Sequence, residues 1–82
     1  MEKRIGAAII LVEKHESVKE LNAILSKYGH MILGRQGLPL RDKGISVINL
    51  IVEGTVDQHS SLTGKIGKLD GVQVKSVLTK YR

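Results

Sequence analysis

Histidine, cysteine and paired carboxylates carry most metal and acid–base chemistry, and this chain offers few of them at useful spacings. It has three histidines and no cysteine. His15, His30 and His59 lack the H-x-H, H-x-x-H and H-x-x-x-H spacings that bring two imidazoles to one metal ion. Without cysteine, thiol catalysis and iron–sulfur ligation through cysteine are excluded. The sequence therefore predicts no metal site and no cofactor.

The acidic residues do not form a pattern that suggests catalysis. Glu13, Glu16 and Glu20 flank the start of a predicted helix, where carboxylates commonly interact with the helix dipole. The sequence contains no nucleophile elbow, no phosphate-binding loop of the Walker type and no dinucleotide fingerprint. We therefore predict that the chain is not an enzyme.

Two Gly-x-x-Gly segments are candidates for contact with a ligand or a phosphate. The segment 64–67 (G-K-I-G) has the spacing of a KH-type clamp, but it falls within a predicted helix, where small residues favour close packing. The other segment comprises Gly34, Arg35, Gln36 and Gly37, at the end of a predicted strand. Because the guanidinium of Arg35 can hold an anion or a partner's carboxylate, we predict that these four residues form a contact loop for a small ligand or a partner protein.

A formal net charge of +5, from 13 basic and 8 acidic residues, raises the question of a nucleic-acid partner. The excess is scattered along the chain, as on a solvated surface that keeps a protein soluble. The stretch 43–50 (K-G-I-S-V-I-N-L) has the register of an RNA-recognition signature but lacks every aromatic residue that would stack on bases. Binding of nucleic acid by the basic Lys65 and Lys68 region is an alternative function, and a purely structural assembly subunit is another.

The elements that would position these residues follow from the spacing of apolar side chains. An unbroken apolar run within residues 4–13 predicts a strand that is buried on both faces. Ser17, with Glu20 three residues later, predicts a capping box at the start of a helix. Gly29 is expected to end that helix.

The middle of the chain predicts a hairpin and a second helix. A strand is expected at 30–37, a long polar connection at 38–43 and another strand at 45–53. The second helix is expected to begin near Thr55 or Asp57, because either side chain can cap it.

The end of the chain predicts a tightly packed helix and a last strand. Gly64 and Gly67 each cost about 1 kcal/mol relative to alanine in a helix interior, so we expect this helix to pack closely against a strand. The Asp70-Gly71 pair predicts a turn. Alternation of apolar and polar residues over 72–80 predicts the last strand.

The element order β-α-β-β-α-β predicts an α+β fold of the ferredoxin-like βαββαβ type, with a four-stranded antiparallel sheet and both helices on one face. We expect residues 1–82 to form a single domain of this kind. The third strand has Ile45, Val47 and Ile51 on one side and apolar residues on the other as well. These three residues are therefore predicted to form an oligomer face that is covered in a dimer or tetramer.

The small size of the chain also favours self-association. A domain of 82 residues buries only about 60–65% of the surface that its unfolded chain exposes. Without cysteine it has no disulfides to add stability. The apolar run at 5–12 is too short for a signal peptide or a membrane span, so we expect a cytoplasmic protein with no membrane partner.

Two stretches carry a resemblance to a known family. They are 32–48, which contains I-L-G-R-Q-G-L-P and G-I-S-V-I, and 62–75, L-T-G-K-I-G-K-L-D-G-V-Q-V-K. Together with the charged start M-E-K-R and the first apolar strand, they resemble the regulator family named for the iron-only hydrogenase system. The likeness extends over essentially the whole chain.

The resemblance implies a ferredoxin-like domain related to ACT domains and to the ligand-binding half of nickel-responsive repressors, usually assembled as an oligomer. The H-x-H element of the nickel site is absent, so the resemblance transfers no metal site. The DNA-binding segment of those repressors is missing, and direct DNA binding would need a separate DNA-reading domain. Small effectors of ACT domains often bind near the first strand–helix turn, here residues 13–17, although the glycine typical of that turn is absent.

The residues and the resemblance together predict a non-catalytic, homo-oligomeric regulatory or ligand-sensing module. The resemblance links it to the iron-only hydrogenase system as a transcriptional regulator. Its expected partners are further copies of itself and a small-molecule effector or a partner protein.

Overall fold

The apolar runs of the sequence form the strands and helices of the predicted order. The computed structural model describes residues 2–80. Its elements in chain order are β1 (Arg4–Val12), α1 (Val18–Lys27), β2 (Ile32–Leu40), β3 (Ile45–Gly54), α2 (Val56–Gly67) and β4 (Val72–Leu78). Short 3₁₀ turns at His15–Ser17 and Gly29–Met31 lie on either side of α1. The βαββαβ order is confirmed.

The four strands form an antiparallel sheet in the order β2-β3-β1-β4. The first and third strands of the chain are therefore central, as expected of the ferredoxin-like plan. Ile10 lies opposite Ile48 on β3 and opposite Val74 on β4. Because paired residues of antiparallel strands project to the same face, the even-numbered residues of β1, β3 and β4 share one face.

The two helices cover this even-numbered face and bury it. Ile10 and Leu50 on the central strands, and Leu21 and Ile66 on the helices, have no exposed surface. Burial contributes about 1.5–3 kcal/mol for each large aliphatic side chain. The buried cluster consists of Ala8, Ile10, Val12, Leu21, Leu25, Ile48, Leu50, Val52, Leu62, Ile66 and Val72.

Strand β2 occupies a different stretch from the one that the sequence predicted. It starts at Ile32 and runs on to Leu40, so the first half of the predicted polar connection at 38–43 belongs to the strand. Pro39 pairs with Ser46 inside the hairpin, and the missing N–H of proline is tolerated because β2 is an edge strand. The connection is reduced to residues 41–44.

Ser17 does not cap α1, so the predicted capping box with Glu20 is wrong. The backbone of Ser17 is helical (φ −81°, ψ −7°) because a 3₁₀ turn precedes it, and a capping residue normally has an extended backbone. Its hydroxyl instead donates to the carbonyl oxygen of Asp70 at 2.6 Å. This hydrogen bond ties the start of α1 to the turn before β4.

Thr55, one of the two predicted starting residues, caps α2. Its side chain accepts a hydrogen bond from the N–H of Gln58 at 3.2 Å, and the Gln58 side chain accepts one from the N–H of Thr55 at 2.8 Å. The two bonds form a complete capping box.

The expected close packing of the α2 glycines is only partly observed. A Cβ at Gly64 would meet no atom within 4 Å, so the prediction is wrong for this residue. A Cβ at Gly67 would lie 3.5 Å from Val74 on β4, an ordinary contact. Strand β4 ends at Leu78, two residues before the predicted end, although the N–H of Thr79 still donates to the carbonyl of Ile5 at 2.9 Å.

Candidate functional site

The predicted contact loop lies within strand β2, and the strand divides its four residues between two surfaces. Gly34 pairs with Ile51 on the face away from the helices, and Gln36 lies on the same side. Arg35 and Gly37 lie on the helix side. The pairing is irregular just before Gly34, where β2 has one residue more than β3. This extra residue reverses which residues of β2 face the helices and which face away from them. The structure therefore places the four residues together along the chain but on opposite faces.

Behind Arg35, an open groove of about 350 Å³ separates the first half of α1 from the β2–β3 hairpin. The groove is lined by Val12, His15, Val18, Asn22, Arg35, Gly37, Leu38, Pro39, Ser46, Val47 and Ile48. A neighbouring hollow of about 270 Å³ continues it towards the β2–β3 turn and reaches Arg41.

The ionisable side chains that line the groove and the adjoining hollow are all basic. Arg35 lines the groove, Arg41 lines the adjoining hollow, and His15 lines both. None of the lining residues, which all belong to the described part of the chain, carries a carboxylate. Arg35 Nη2 donates to the Oδ1 of Asn22 on α1 at 3.0 Å. A guanidinium has five N–H donors, so this bond orients Arg35 and leaves other donors for an anion.

The connection between β1 and α1, which carries His15, is held against the turn before β4. Lys14 Nζ lies 2.6 Å from Asp70 Oδ2, and both side chains are exposed. The hydrogen bond from Lys14 lowers the pKa of the Asp70 carboxyl, and the same bond raises the pKa of Lys14. The ion pair and the Ser17 hydrogen bond both join this connection, whose His15 lines the groove, to the turn before β4.

The face of the sheet opposite the helices is largely apolar, and we call it the open face. Ile9, Leu38, Ile51 and Val77 are each between 39% and 67% exposed there. The open face comprises Ile5, Ala7, Ile9 and Leu11 of β1, Gly34, Gln36, Leu38 and Leu40 of β2, Ile45, Val47, Asn49, Ile51 and Glu53 of β3, and Gln73, Lys75 and Val77 of β4.

The residues predicted as an oligomer face all lie on this open face. Ile51 is exposed, whereas Ile45 and Val47 are half-buried among their neighbours. Ile51 pairs with Ala7, which in turn pairs with Val77, so an apolar row crosses the central strands and reaches β4. Exposed aliphatic residues thus occur on all four strands.

The other residues that the sequence singled out have contacts within the chain. Lys65 Nζ lies 5.4 Å from the centre of the Tyr28 ring, and the Tyr28 hydroxyl is 2.9 Å from Ser61 Oγ. The hydrogen bond with Ser61 and then that with Lys65 lower the pKa of Tyr28. Binding of nucleic acid by the Lys65 and Lys68 region stays a prediction.

The three histidines lie apart. His59 is buried, and its Nε2 is 2.9 Å from the carbonyl oxygen of Arg4. His15 and His30 are exposed at opposite ends of α1. In the described part of the chain, no three His, Asp or Glu side chains form a group that could hold a metal ion. Within residues 2–80, neither helix is long and apolar enough to cross a membrane.

Sequence reasoning found Arg35 but missed the groove around it. His15, Asn22, Arg41 and Ser46 come from separate stretches of the chain, and each resembles an ordinary surface residue. The one usable signal was Pro39, because a proline between two apolar residues suggests an edge strand that extends beyond Gly37.

A family model, "TM1266-like: Iron-only hydrogenase system regulator, putative", matches residues 4–76. The match covers most of the chain. The chain belongs to this family. The resemblance that the sequence suggested is thereby confirmed, and the family's description is that of a regulator. A search of the curated proteins found none that matches.

Solved structures agree with this assignment. The protein TM1266 from Thermotoga maritima has a TM-score of 0.92 and 32% sequence identity, with 96% of this chain and 100% of that chain covered. The ACT domain from the GTP pyrophosphokinase of Chlorobium tepidum has a TM-score of 0.75 and 22% identity, with 94% of this chain and 89% of that chain covered. The second likeness shows the fold alone, and it confirms the ferredoxin-like, ACT-like prediction.

Proposed function

We propose that this family member is a non-catalytic regulatory module that works as a homo-oligomer, with a second copy covering the open face. In this proposal, the module senses a small ligand or docks a partner through the Gly34–Gly37 segment and the groove behind it. The observation that carries the proposal is that exposed aliphatic side chains occur on all four strands of the open face. The regulatory role is supported by the family's description.

The energetics favour covering this face. Burial of apolar surface contributes about 25 cal/mol per Å², and the chain is so short that its internal core is small. In a monomer, water contacts the exposed side chains of Ile9, Leu38, Ile51 and Val77. A large apolar patch on a small protein commonly marks an interaction surface.

A second copy suits this face because the face is complementary to itself. Between two mainly apolar rows runs a mixed row of Gln36, Asn49, Ile9 and Lys75, which pair in that order across the four strands. Side-chain amides both donate and accept hydrogen bonds, so the amides of Gln36 and Asn49 can meet their own copies. A twofold axis in the interface, along this mixed row, would place the mainly apolar rows of one copy on those of the other. Lys75 lies on the edge strand β4, where its long side chain can keep the ammonium group in water.

The two surfaces are linked through β2. Arg35 faces the groove, whereas its neighbours Gly34 and Gln36 face the open side. A ligand that moves β2 on one side therefore changes the surface offered to a second copy on the other. This arrangement gives a physical route by which ligand binding and assembly are coupled.

The self-association is tested with Ile51→Lys and Val77→Lys, and with Val56→Lys as the control. Val56 is 45% exposed but belongs to α2, on the other side of the molecule. An unpaired ammonium buried between two copies costs several kcal/mol, so each open-face variant is expected to associate about a hundredfold more weakly.

The measurement is sedimentation equilibrium, with circular dichroism to establish that each variant is folded. The Val56 variant is expected to keep the wild-type mass. Open-face variants that associate as tightly as the wild type, or a Val56 variant that dissociates as they do, would refute the proposed interface.

A further inference from the structure

The groove between α1 and the β2–β3 hairpin combines an apolar floor with positive charge. Val12, Val18 and Ile48 supply aliphatic surface, and Arg35 supplies a guanidinium at the side. We infer that this groove binds a small molecule that joins one carboxylate or phosphate group to a short apolar body, and that carries no ammonium group. The inference rests on the proposed ligand-sensing role and specifies its ligand.

The anionic group is assigned to Arg35. Its planar guanidinium can donate two parallel hydrogen bonds to a carboxylate or a phosphate, which lysine cannot do in the same geometry. The bond to Asn22 at 3.0 Å restrains the side chain beside the groove before any ligand arrives. Because the side chain is already restrained, it loses less conformational entropy when a ligand binds.

The apolar part of the ligand is assigned to the floor. A volume of about 350 Å³ lies at the small end of the range for ligand pockets, which suits a metabolite with a short hydrocarbon or aromatic body. Ser46 offers a hydroxyl, and Pro39 lines both the groove and the hollow that continues it towards the turn. The mixture of a few polar groups with aliphatic walls is typical of small-molecule sites.

The exclusion of an ammonium group follows from the charges. His15 lines the same groove as Arg35, Arg41 lines the hollow that continues it, and none of the lining residues is acidic. An ammonium held in the groove would find no carboxylate among the lining residues and would lie beside the guanidinium of Arg35. The groove should therefore prefer a simple carboxylic acid to the amino acid with the same side chain.

The test is an NMR titration of the full chain, uniformly labelled with nitrogen-15. The probes are isovalerate, hexanoate and phenylacetate, with isovaleramide and leucine as matched competitors. Butyl phosphate is added to distinguish a phosphate from a carboxylate as the preferred anion. The acids are expected to shift the backbone amides of His15, Asn22, Arg35 and Ser46, and to bind about tenfold or more tightly than isovaleramide or leucine.

Three variants separate the role of Arg35 from that of overall charge. Arg35→Gln is expected to weaken binding of the acids about tenfold or more, and Arg35→Lys several-fold. Lys68→Gln removes the same charge at the end of α2 and should leave binding unchanged. If Arg35→Gln does not fold, Asn22→Ala provides the test, because it keeps the charge but releases the guanidinium, and a several-fold loss is expected.

Several results would overturn the inference. These are a lack of saturable shifts in the groove with every acid and with butyl phosphate, equal binding of isovaleramide or leucine, and equal loss in the Arg35 and Lys68 variants. Sedimentation of the same samples keeps the proposed assembly distinguishable. A chain that associates but ignores the acids contradicts only the ligand assignment, whereas a monomer that binds them contradicts only the assembly.

Discussion

Gly71 holds the connection between α2 and β4 in a conformation that other residues avoid. Its φ is +69°, and a Cβ there would lie 2.7 Å from the Cβ of Lys14 and 3.0 Å from its backbone nitrogen. The close approach brings the β1–α1 connection against the turn. Only glycine satisfies both the backbone angle and the available space.

Gly71→Ala is therefore expected to lower the free energy of unfolding by more than about 1 kcal/mol, through left-handed strain and a steric clash. Chemical denaturation followed by circular dichroism measures the change. Gly64→Ala is the matched control, because a Cβ at Gly64 meets open space on a helix.

The control should change stability in the opposite direction. Alanine is favoured over glycine in a helix interior, so Gly64→Ala is expected to raise the free energy of unfolding by about 0.5–1 kcal/mol. If both variants change the free energy of unfolding by the same amount and in the same direction, the backbone angle and close contacts of Gly71 do not account for its effect.

At the scale of elements, the ion pair between Lys14 and Asp70 joins the β1–α1 connection to the α2–β4 turn. Lys14 lowers the pKa of Asp70, so the pair contributes stability above the ordinary pKa of aspartate and loses it as pH falls through the lowered value. The raised pKa of Lys14 gives a matching loss at high pH, as pH rises through its folded value. Both groups are exposed, so the effect is small and declines with added salt.

Asp70→Asn is expected to be less stable than the wild type at neutral pH and equally stable in acid, where both lack the charge. Thermal unfolding across this pH range, at low and high salt, measures the difference. Asp42→Asn, in the β2–β3 turn, is the control for loss of a carboxylate. If the Asp70 variant differs from the wild type by the same amount at every pH, the ion pair does not account for its effect.

The sequence predicted those elements whose signals are local. The apolar runs that became β1 and β3 depend only on neighbouring residues. Thr55, one of the two predicted starts of α2, has its capping partner Gln58 only three residues later. Ser17 was misjudged because its hydroxyl partner, Asp70, is 53 positions away. The extension of β2 through Pro39 was missed because edge strands tolerate proline, and edge position is a property of the whole sheet.

At the scale of the whole molecule, the two surfaces differed in how far they could be predicted. The open face follows from aliphatic residues at alternate positions of β3, such as Val47 and Ile51, so its existence could be inferred from the sequence. The groove could not, because Asn22 and Arg35 meet only when α1 lies across the hairpin. The sequence singled out Arg35 by its residue type, but only the fold shows its partner Asn22 and the groove that it lines.

Sedimentation velocity of the unmodified chain over a wide dilution series tests the central claim most directly. A chain whose open face is covered by a second copy is expected to sediment as a dimer or tetramer at micromolar concentration and to dissociate only on strong dilution. A folded monomer at every concentration, with Ile9 and Val77 left in water, would contradict the account.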